Sequence, residues 1–165
     1  ERSGVCVIGT ISNERDFEGL VRLARTHKSV EFKLVSRQAP RLDSRPENLK
    51  ILRNIPTHEM ARAVESSQSI LSIVRPDSTY LVDRFSGELA LPYIFGTPSI
   101  LPKSLGAVYN LESMYLYESL QDDFWNLYNK PITEKIIADI IKEREYLVTA
   151  NRDTLLHYIT EAGIC

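Results

Sequence analysis

The first half of the sequence alternates between two hydrophobic periods, and this alternation constrains the fold more than any other feature. Residues 4–10 and 69–74 form short, nearly continuous apolar runs, which are typical of strands buried on both faces. Between such runs, apolar residues such as Phe17, Leu20 and Ala24 recur at helical spacing. Strands that alternate with helices predict a parallel sheet with helices on both faces.

This pattern predicts about six strands and the helices between them. We expect the strands at residues 4–10, 30–36, 49–53, 69–74, 98–101 and 107–109. The first helix should end near residue 27 and begin where Asn13 and Asp16 can form a cap. Two more are expected at 56–64 and 80–95, and Pro92 should kink the second of these.

The last third of the chain has a different pattern. Residues 111–128 are predicted to form an aromatic-rich helix, and Thr133 to cap a second helix with an isoleucine stripe. A short final helix is expected at 153–162. The sequence therefore predicts a single α/β domain with a Rossmann-like parallel sheet. Its βα units occupy residues 1–110, and a helical C-terminal tail occupies residues 111–165.

Composition and charge exclude several classes of protein. Hydrophobic residues make up 43% and charged residues 25%, as in a globular domain, and a net charge of −2 argues against nucleic-acid binding. The three histidines lie far apart in sequence, and Cys6 and Cys165 lie at opposite ends, so we expect no metal site and no disulfide framework. No apolar stretch is long enough to be a transmembrane segment, and no signal peptide is present, which favours a cytoplasmic location.

The common cofactor and nucleophile motifs are absent. Gly9 has no second glycine at dinucleotide-binding spacing, and no P-loop or G-x-S-x-G elbow occurs. In an open parallel sheet, ligands bind beyond the carboxyl ends of the strands. The residues that follow the predicted strands combine small side chains, hydroxyls and arginines. This mixture suits a phosphorylated ligand.

Residues 83–101 are the most informative of these stretches. Ser86 and Gly87 precede a predicted helix, and Glu88 lies in its first turn. The free backbone N–H groups of such a helix favour an anion such as a diphosphate. The alternative, that these three residues only cap the helix, stays open.

The same stretch resembles the nucleotide-sugar-binding motif of GT-B glycosyltransferases. In that family a carboxylate and a Gly-Phe-Gly-like loop lead into a helix that ends at Gly-x-Pro. Asp83 matches the first acidic residue, Phe85 matches the loop aromatic, and residues 96–98 match the end of the helix. Residues 54–64 are similar to the segment that precedes this motif in the family, so the resemblance extends from about residue 5 to 159.

The sequence also departs from the family at two places. The second acidic residue, which holds the nucleotide ribose in the family, falls on Leu91. Ser36 and Arg37 replace the glycine that normally follows the second strand. Glu88, about one helical turn before Leu91, could take over the contact with the ribose.

The resemblance implies a domain that binds a nucleotide-diphospho-sugar donor, whose sugar is transferred to a hydroxyl of a glycan, protein or lipid acceptor. It implies no metal and no further cofactor. The acceptor site and the catalytic base would come from an acceptor-binding domain on the same or another chain. A start at Glu1 without methionine would suit one half of such a two-domain enzyme. The predicted nucleotide-sugar-binding residues are Thr10, Arg15 in the first turn of the first helix, Arg37, Asp83, Ser86, Gly87 and Glu88.

Two other functions fit the same sequence. A non-catalytic Rossmann-like module that has lost nucleotide binding and serves assembly is favoured by Leu91 and by the missing glycine. A different nucleotide-sugar enzyme of similar architecture, such as an epimerase, is the third possibility. Arg37, with Arg41 and Arg45 nearby, could also do no more than solvate an exposed loop.

Overall fold

The computed structural model describes residues 2–9, 11–40, 44–75, 78, 87–109 and 113–161, with backbone only for 87, 88, 108, 109 and 151–161. Within these ranges, six parallel strands form one sheet, which confirms the predicted fold class. The strands are β1 (Val5–Ile8), β2 (Phe32–Ser36), β3 (Leu49–Arg53), β4 (Ser69–Leu71), β5 (Ser99–Pro102) and β6 (Tyr115–Tyr117). The helices are α1 (Phe17–Thr26), α2 (Thr57–Glu65), α3 (Leu91–Phe95), α4 (Lys103–Tyr109), α5 (Leu120–Tyr128) and α6 (Glu134–Glu161), and a 3₁₀ helix (Gly87–Ala90) precedes α3.

The order of the strands across the sheet is β3-β2-β1-β4-β5-β6. In the central strand, Val5 pairs with Phe32 of β2 on one side and with Ser69 of β4 on the other. The chain winds first from β1 toward β3 and then from β4 toward β6, so the direction of winding reverses between β1 and β4. In such sheets the carboxyl ends of the strands beside this reversal form the usual ligand site.

The side chains of β1 alternate between the two faces of the sheet. Val5 and Val7 pack in one hydrophobic cluster with Phe124 of α5, and Cys6 packs in another with Val64 of α2. This arrangement confirms that the first strand is buried on both faces. Burial raises the pKa of the Cys6 thiol to about 12, which keeps the thiol protonated and unreactive at neutral pH.

The prediction of the sixth strand was wrong. Residues 107–109 lie in α4, and the strand is Tyr115–Tyr117, inside the segment that was predicted to be helical from 111 to 128. Tyr117 is buried whereas its neighbour Leu116 is exposed, which is the alternation of a half-buried edge strand. Three residues are too few to show this period in a stretch rich in aromatic side chains. The helix that follows begins only at Leu120.

The C-terminal helices also differ from the prediction. The helix expected after Thr133 and the short one expected at 153–162 are one continuous helix, Glu134–Glu161. No proline or glycine interrupts residues 132–162, so nothing in the sequence ends the helix earlier. Its Ile140 is fully buried against a cluster that includes Leu101 and Leu105. Among the described residues, no helix has both the length and the apolar character that crossing a bilayer requires.

Two helix starts lie elsewhere than expected. Asp16 alone caps α1, because its Oδ1 accepts a hydrogen bond from the Gly19 N–H at 2.8 Å, so Arg15 lies before the helix and not in its first turn. Pro92 lies in the first turn of α3, a position that proline tolerates, and therefore does not kink the helix.

Strand β4 ends at Leu71, three residues before the predicted end at Val74.

The aromatic side chains of α5 pack against the amino edge of the sheet. The His27 ring stacks on Trp125, with centroids 5.1 Å apart and planes 4° apart, and also lies 5.2 Å from Phe124. Phe124 in turn contacts Phe32 and Tyr128. The cluster is thus part of the packing between α5 and the sheet. Burial in it lowers the pKa of His27.

This lowered pKa predicts a loss of stability in acid. Between the folded pKa of His27 and its ordinary value near 6.5, the unfolded chain binds a proton more readily than the folded one. The free energy of unfolding should therefore be highest above about pH 6.5 and fall as the pH decreases through the folded pKa. Urea unfolding over a pH series measures this. His27→Phe should remove this part of the pH dependence, and His58→Gln, on the exposed surface of α2, should keep it; equal profiles for all three proteins would contradict the assignment.

Candidate functional site

A first cavity lies at the carboxyl ends of β1, β2 and β3. Its volume is ≈ 310 Å³, at the lower end of the range of about 300–1,000 Å³ for ligand pockets. The lining residues are Ile8, Gly9, Val35, Ser36, Arg37, Asn54, Ile55, Thr57 and Met60. Apolar side chains form much of the wall, and Arg37 provides a positive charge. The cavity therefore suits a ligand that has both an apolar ring and an anionic group.

The loops around the first cavity are fixed by backbone hydrogen bonds. The Asn54 N–H donates to the Ser36 carbonyl at 3.0 Å, which ties the loop after β3 to the end of β2. Asn54 adopts a left-handed backbone with a φ of 51°, a conformation that asparagine tolerates better than most residues. Helix α2 begins at Thr57, beside the cavity, and its N-cap Pro56 has no side-chain acceptor for the first N–H groups. The positive end of this helix dipole therefore faces the cavity.

Arg15 lies directly behind Gly9 and is 95% buried. A Cβ atom placed on Gly9 would lie 2.4 Å from the Arg15 Cζ, so the guanidinium occupies the space that any other side chain would need. Gly9 also has a φ of 154°, which few other residues adopt. The small residue after the first strand thus serves to admit an arginine of this chain. Arg37 lines the first cavity together with Gly9 and is exposed to solvent.

Between β1 and β4, the segments that follow the two strands pair with each other. Arg15 and Val74 form an antiparallel bridge. The Asp16 N–H donates to the Ile73 carbonyl and the Arg75 N–H to the Glu14 carbonyl, both at 2.8 Å. We call this pairing of residues 14–16 with 73–75 the seam. Among the described residues, the first cavity lies on the β1–β3 side of the seam.

The second cavity lies on the β4–β6 side of the seam and has a volume of ≈ 580 Å³. The lining residues are Asp16, Glu18, Arg22, Val74, Arg75, Pro102, Lys103, Ser104, Tyr117, Glu118 and Leu120. Lys103 pairs with Glu118 at 2.6 Å, and this hydrogen bond raises the pKa of the lysine. Sequence reasoning missed this cavity because Glu118 fell within a segment predicted to be helical. An edge strand at 115–117 is the signal that would have placed it at the sheet edge.

The seven predicted binding residues have different outcomes. Arg15 is buried against Gly9, and Arg37 lines the first cavity. Thr10, Asp83 and Ser86 lie outside the described residues, so their roles stay predictions. Gly87 opens the 3₁₀ helix, and of Glu88, its second residue, only the backbone is described. The described residues contain no group of three or more histidine, cysteine or acidic side chains placed to hold a metal ion.

The end of the predicted nucleotide-sugar motif lies in the described part of the chain. α3 ends at Gly96, whose left-handed φ of 58° is typical of a helix C-cap. The Arg2 guanidinium donates to the Gly96 carbonyl at 2.9 Å. Leu91 is 91% buried and packs with Cys6 and Val64 in the core. The position at which the GT-B family has its ribose-binding acid therefore belongs to the hydrophobic core of this chain.

The arrangement of strands and helices is similar to that of solved glycosyltransferases. One is the UDP-forming α,α-trehalose-phosphate synthase from Burkholderia xenovorans, with a TM-score of 0.66 and 14% identity over 94% of this chain and 44% of that one. Another is the glycosyltransferase SnogD from Streptomyces nogalater, with a TM-score of 0.58 and 17% identity over 94% of this chain and 42% of that one. For the calicheamicin glycosyltransferase CalG4, the TM-score is 0.53 and the identity 12%, over 96% of this chain and 42% of that one. The fold is that of a GT-B glycosyltransferase domain.

The similarity to these proteins is one of fold and not of sequence. No protein-family model matches the sequence, and no curated protein matches it. The chain spans less than half the length of the three solved glycosyltransferases. The predicted resemblance is therefore confirmed for the fold.

The contact between Gly9 and Arg15 predicts a specific cost for substituting the glycine. Gly96→Ala is the matched control, because Gly96 also has a positive φ but no atom lies within 4 Å of its added Cβ. Gly96→Ala should lower the free energy of unfolding by about 1–2 kcal/mol. Gly9→Ala should lower it by about 1–3 kcal/mol more, because the Cβ also overlaps the guanidinium.

Urea denaturation of the single and double variants separates the two causes. In an Arg15→Ala background, Gly9→Ala should lose the additional cost and retain only that of its backbone conformation. If the cost of Gly9→Ala is the same with and without the arginine side chain, Arg15 does not fill this space.

Proposed function

We propose that this chain is the donor-binding domain of a glycosyltransferase and that it binds a nucleotide-diphospho-sugar in the first cavity. The observation that supports this most is the position of Arg37 and the start of α2 around one cavity at the carboxyl ends of β1–β3. Both are positively charged features, and the cavity occurs in a fold shared with solved glycosyltransferases. An anionic ligand with an aromatic base fits these surroundings.

Each part of the donor has a matching part of the cavity. Arg37 can bind a phosphate through two parallel N–H···O hydrogen bonds, and the first N–H groups of α2 can donate to the same anion. The base would contact apolar residues such as Ile55 and Met60. Asp83, Ser86, Gly87 and Glu88 would complete the site from the loop before α3, together with Thr10.

The proposed reaction is the transfer of the sugar from the nucleotide diphosphate to an acceptor hydroxyl of a glycan, protein or lipid. As the bond between the sugar and the diphosphate breaks, negative charge develops on the leaving nucleotide. Arg37 and the helix start are placed to stabilise this charge, without a metal ion or a further cofactor. We assign no general base to this chain. An acceptor-binding domain on the same or another chain would supply the general base. We propose a cytoplasmic location for the reaction.

A second candidate function is a non-catalytic assembly module with the same fold. The burial of Leu91 in the core favours this function. An apolar side chain occupies the position at which the GT-B family has the acid that contacts the ribose. Such a module would bind no nucleotide, so one binding experiment distinguishes the two functions.

Calorimetric titration with UDP, GDP and their sugar conjugates tests the donor site. At least one nucleotide should bind, and Arg37→Ala should weaken its affinity about tenfold, since a hydrogen-bonded charge pair is lost. Arg25→Ala is the matched control, because Arg25 lies in the last turn of α1, at the opposite edge of the sheet, and should leave the affinity unchanged. Absence of binding by every nucleotide at millimolar concentration would refute the donor site and favour the assembly module.

A further inference from the structure

The second cavity has an apolar floor and a polar rim. Val74, Tyr117 and Leu120 form the floor and are each more than 90% buried. Carboxylates, a serine hydroxyl and three cationic side chains stand around it. Sugar rings present C–H groups on their faces and hydroxyls at their edges. A floor and rim of these types fit both parts of such a ring.

The walls of this cavity are held in place before any ligand arrives. The Tyr117 hydroxyl donates to the Ser72 carbonyl at 2.9 Å, which fixes the ring against the end of β4. Asp16 caps α1 and also takes part in the seam through its N–H. The Arg75 N–H is held by Glu14 at 2.8 Å. Preorganised walls reduce the entropy that binding would otherwise cost.

Three cationic side chains and three carboxylates line the second cavity, and two of the cations, Arg22 and Lys103, lie beside carboxylates. Arg22 lies 3.8 Å from Asp16 and 3.9 Å from Glu18. Lys103 is paired with Glu118. Within the part of the chain that the structure describes, the exposed guanidinium of Arg75 forms no ion pair with the side chains around it. An anionic group of a ligand is the partner that this arrangement lacks.

We infer that the second cavity binds a sugar ring that carries a negatively charged substituent, a carboxylate or a phosphate monoester. Arg75 binds the substituent, and Asp16, Ser104 or Glu118 accept hydrogen bonds from the ring hydroxyls. The inference rests on the proposed function only for the role of this sugar as a glycosyl substrate. It extends that function by naming the class of sugar, whether a uronic acid on the donor or a phosphorylated acceptor.

Calorimetry with free sugars tests the inference on the 165-residue chain. The probes are glucose 6-phosphate, glucuronic acid, glucose and inorganic phosphate. At least one anionic sugar should bind about tenfold tighter than glucose, and glucose 6-phosphate tighter than inorganic phosphate. Whether the phosphate or the carboxylate binds better identifies the source. The inference is overturned if glucose binds as tightly as the anionic sugars, or if inorganic phosphate binds as tightly as glucose 6-phosphate. It is also overturned if none of the four probes binds.

Variants of Arg75 locate the binding. Arg75→Gln should remove the preference for the anionic sugar, whereas Arg25→Gln should keep it, and thermal unfolding confirms that both variants are folded. Arg75→Lys should retain part of the preference, because the charge remains but the planar fork of the guanidinium is lost. An unchanged preference in Arg75→Gln places the binding elsewhere and overturns the inference.

Titration with UDP separates this inference from the proposed function. Arg75→Gln should leave the affinity for UDP unchanged, because the nucleotide is assigned to the first cavity. If UDP affinity falls with the sugar preference, the second cavity is a diphosphate site and the inference is wrong. If the unmodified chain binds no nucleotide, the proposed function fails, and the free sugars still decide the inference.

Discussion

The seam between residues 14–16 and 73–75 determines how the whole carboxyl edge of the sheet is used. In doubly wound sheets the point where the winding reverses is normally an open crevice. Here two backbone hydrogen bonds join the two loops across it, and the Arg15 guanidinium fills the space behind Gly9. Among the described residues, the first cavity lies on one side of this reversal and the second on the other.

The predictable parts of the fold are those in which burial restricts the sequence to apolar residues. β1 is buried on both faces, so it must be a continuous apolar run, and its place in the sequence was evident. The edge strand Tyr115–Tyr117 has one buried and one exposed face and only three residues, so its alternation was too short to distinguish from a helix. The two helices expected after Thr133 are one, because residues 132–162 contain no proline or glycine that would end the first of them.

The candidate site was predictable in its location but not in its geometry. That ligands bind beyond the strand ends follows from topology, and Arg37 is selected on that basis, whereas Arg15 is selected from its expected place in the first turn of the first helix. Whether an arginine there is buried or exposed depends on contacts between residues far apart in sequence. Arg15 is buried and pairs with Val74 in the segment after β4, whereas Arg37 is exposed among the described residues. The resemblance to GT-B enzymes predicted the fold, while the burial of Leu91 removes one of the family's contacts.

The seam also imposes a minimum length on any single molecule that occupies both cavities. The first cavity is centred near β2 and the second near β5, with β1 and β4 between them. Neighbouring strands lie about 4.8 Å apart, so the two centres are separated by roughly 14 Å. A compact ligand can fill one cavity, but only an extended one can arch over the paired loops and reach the other. A molecule that contacts both cavities must therefore span roughly 14 Å and be flexible enough to bend over the seam.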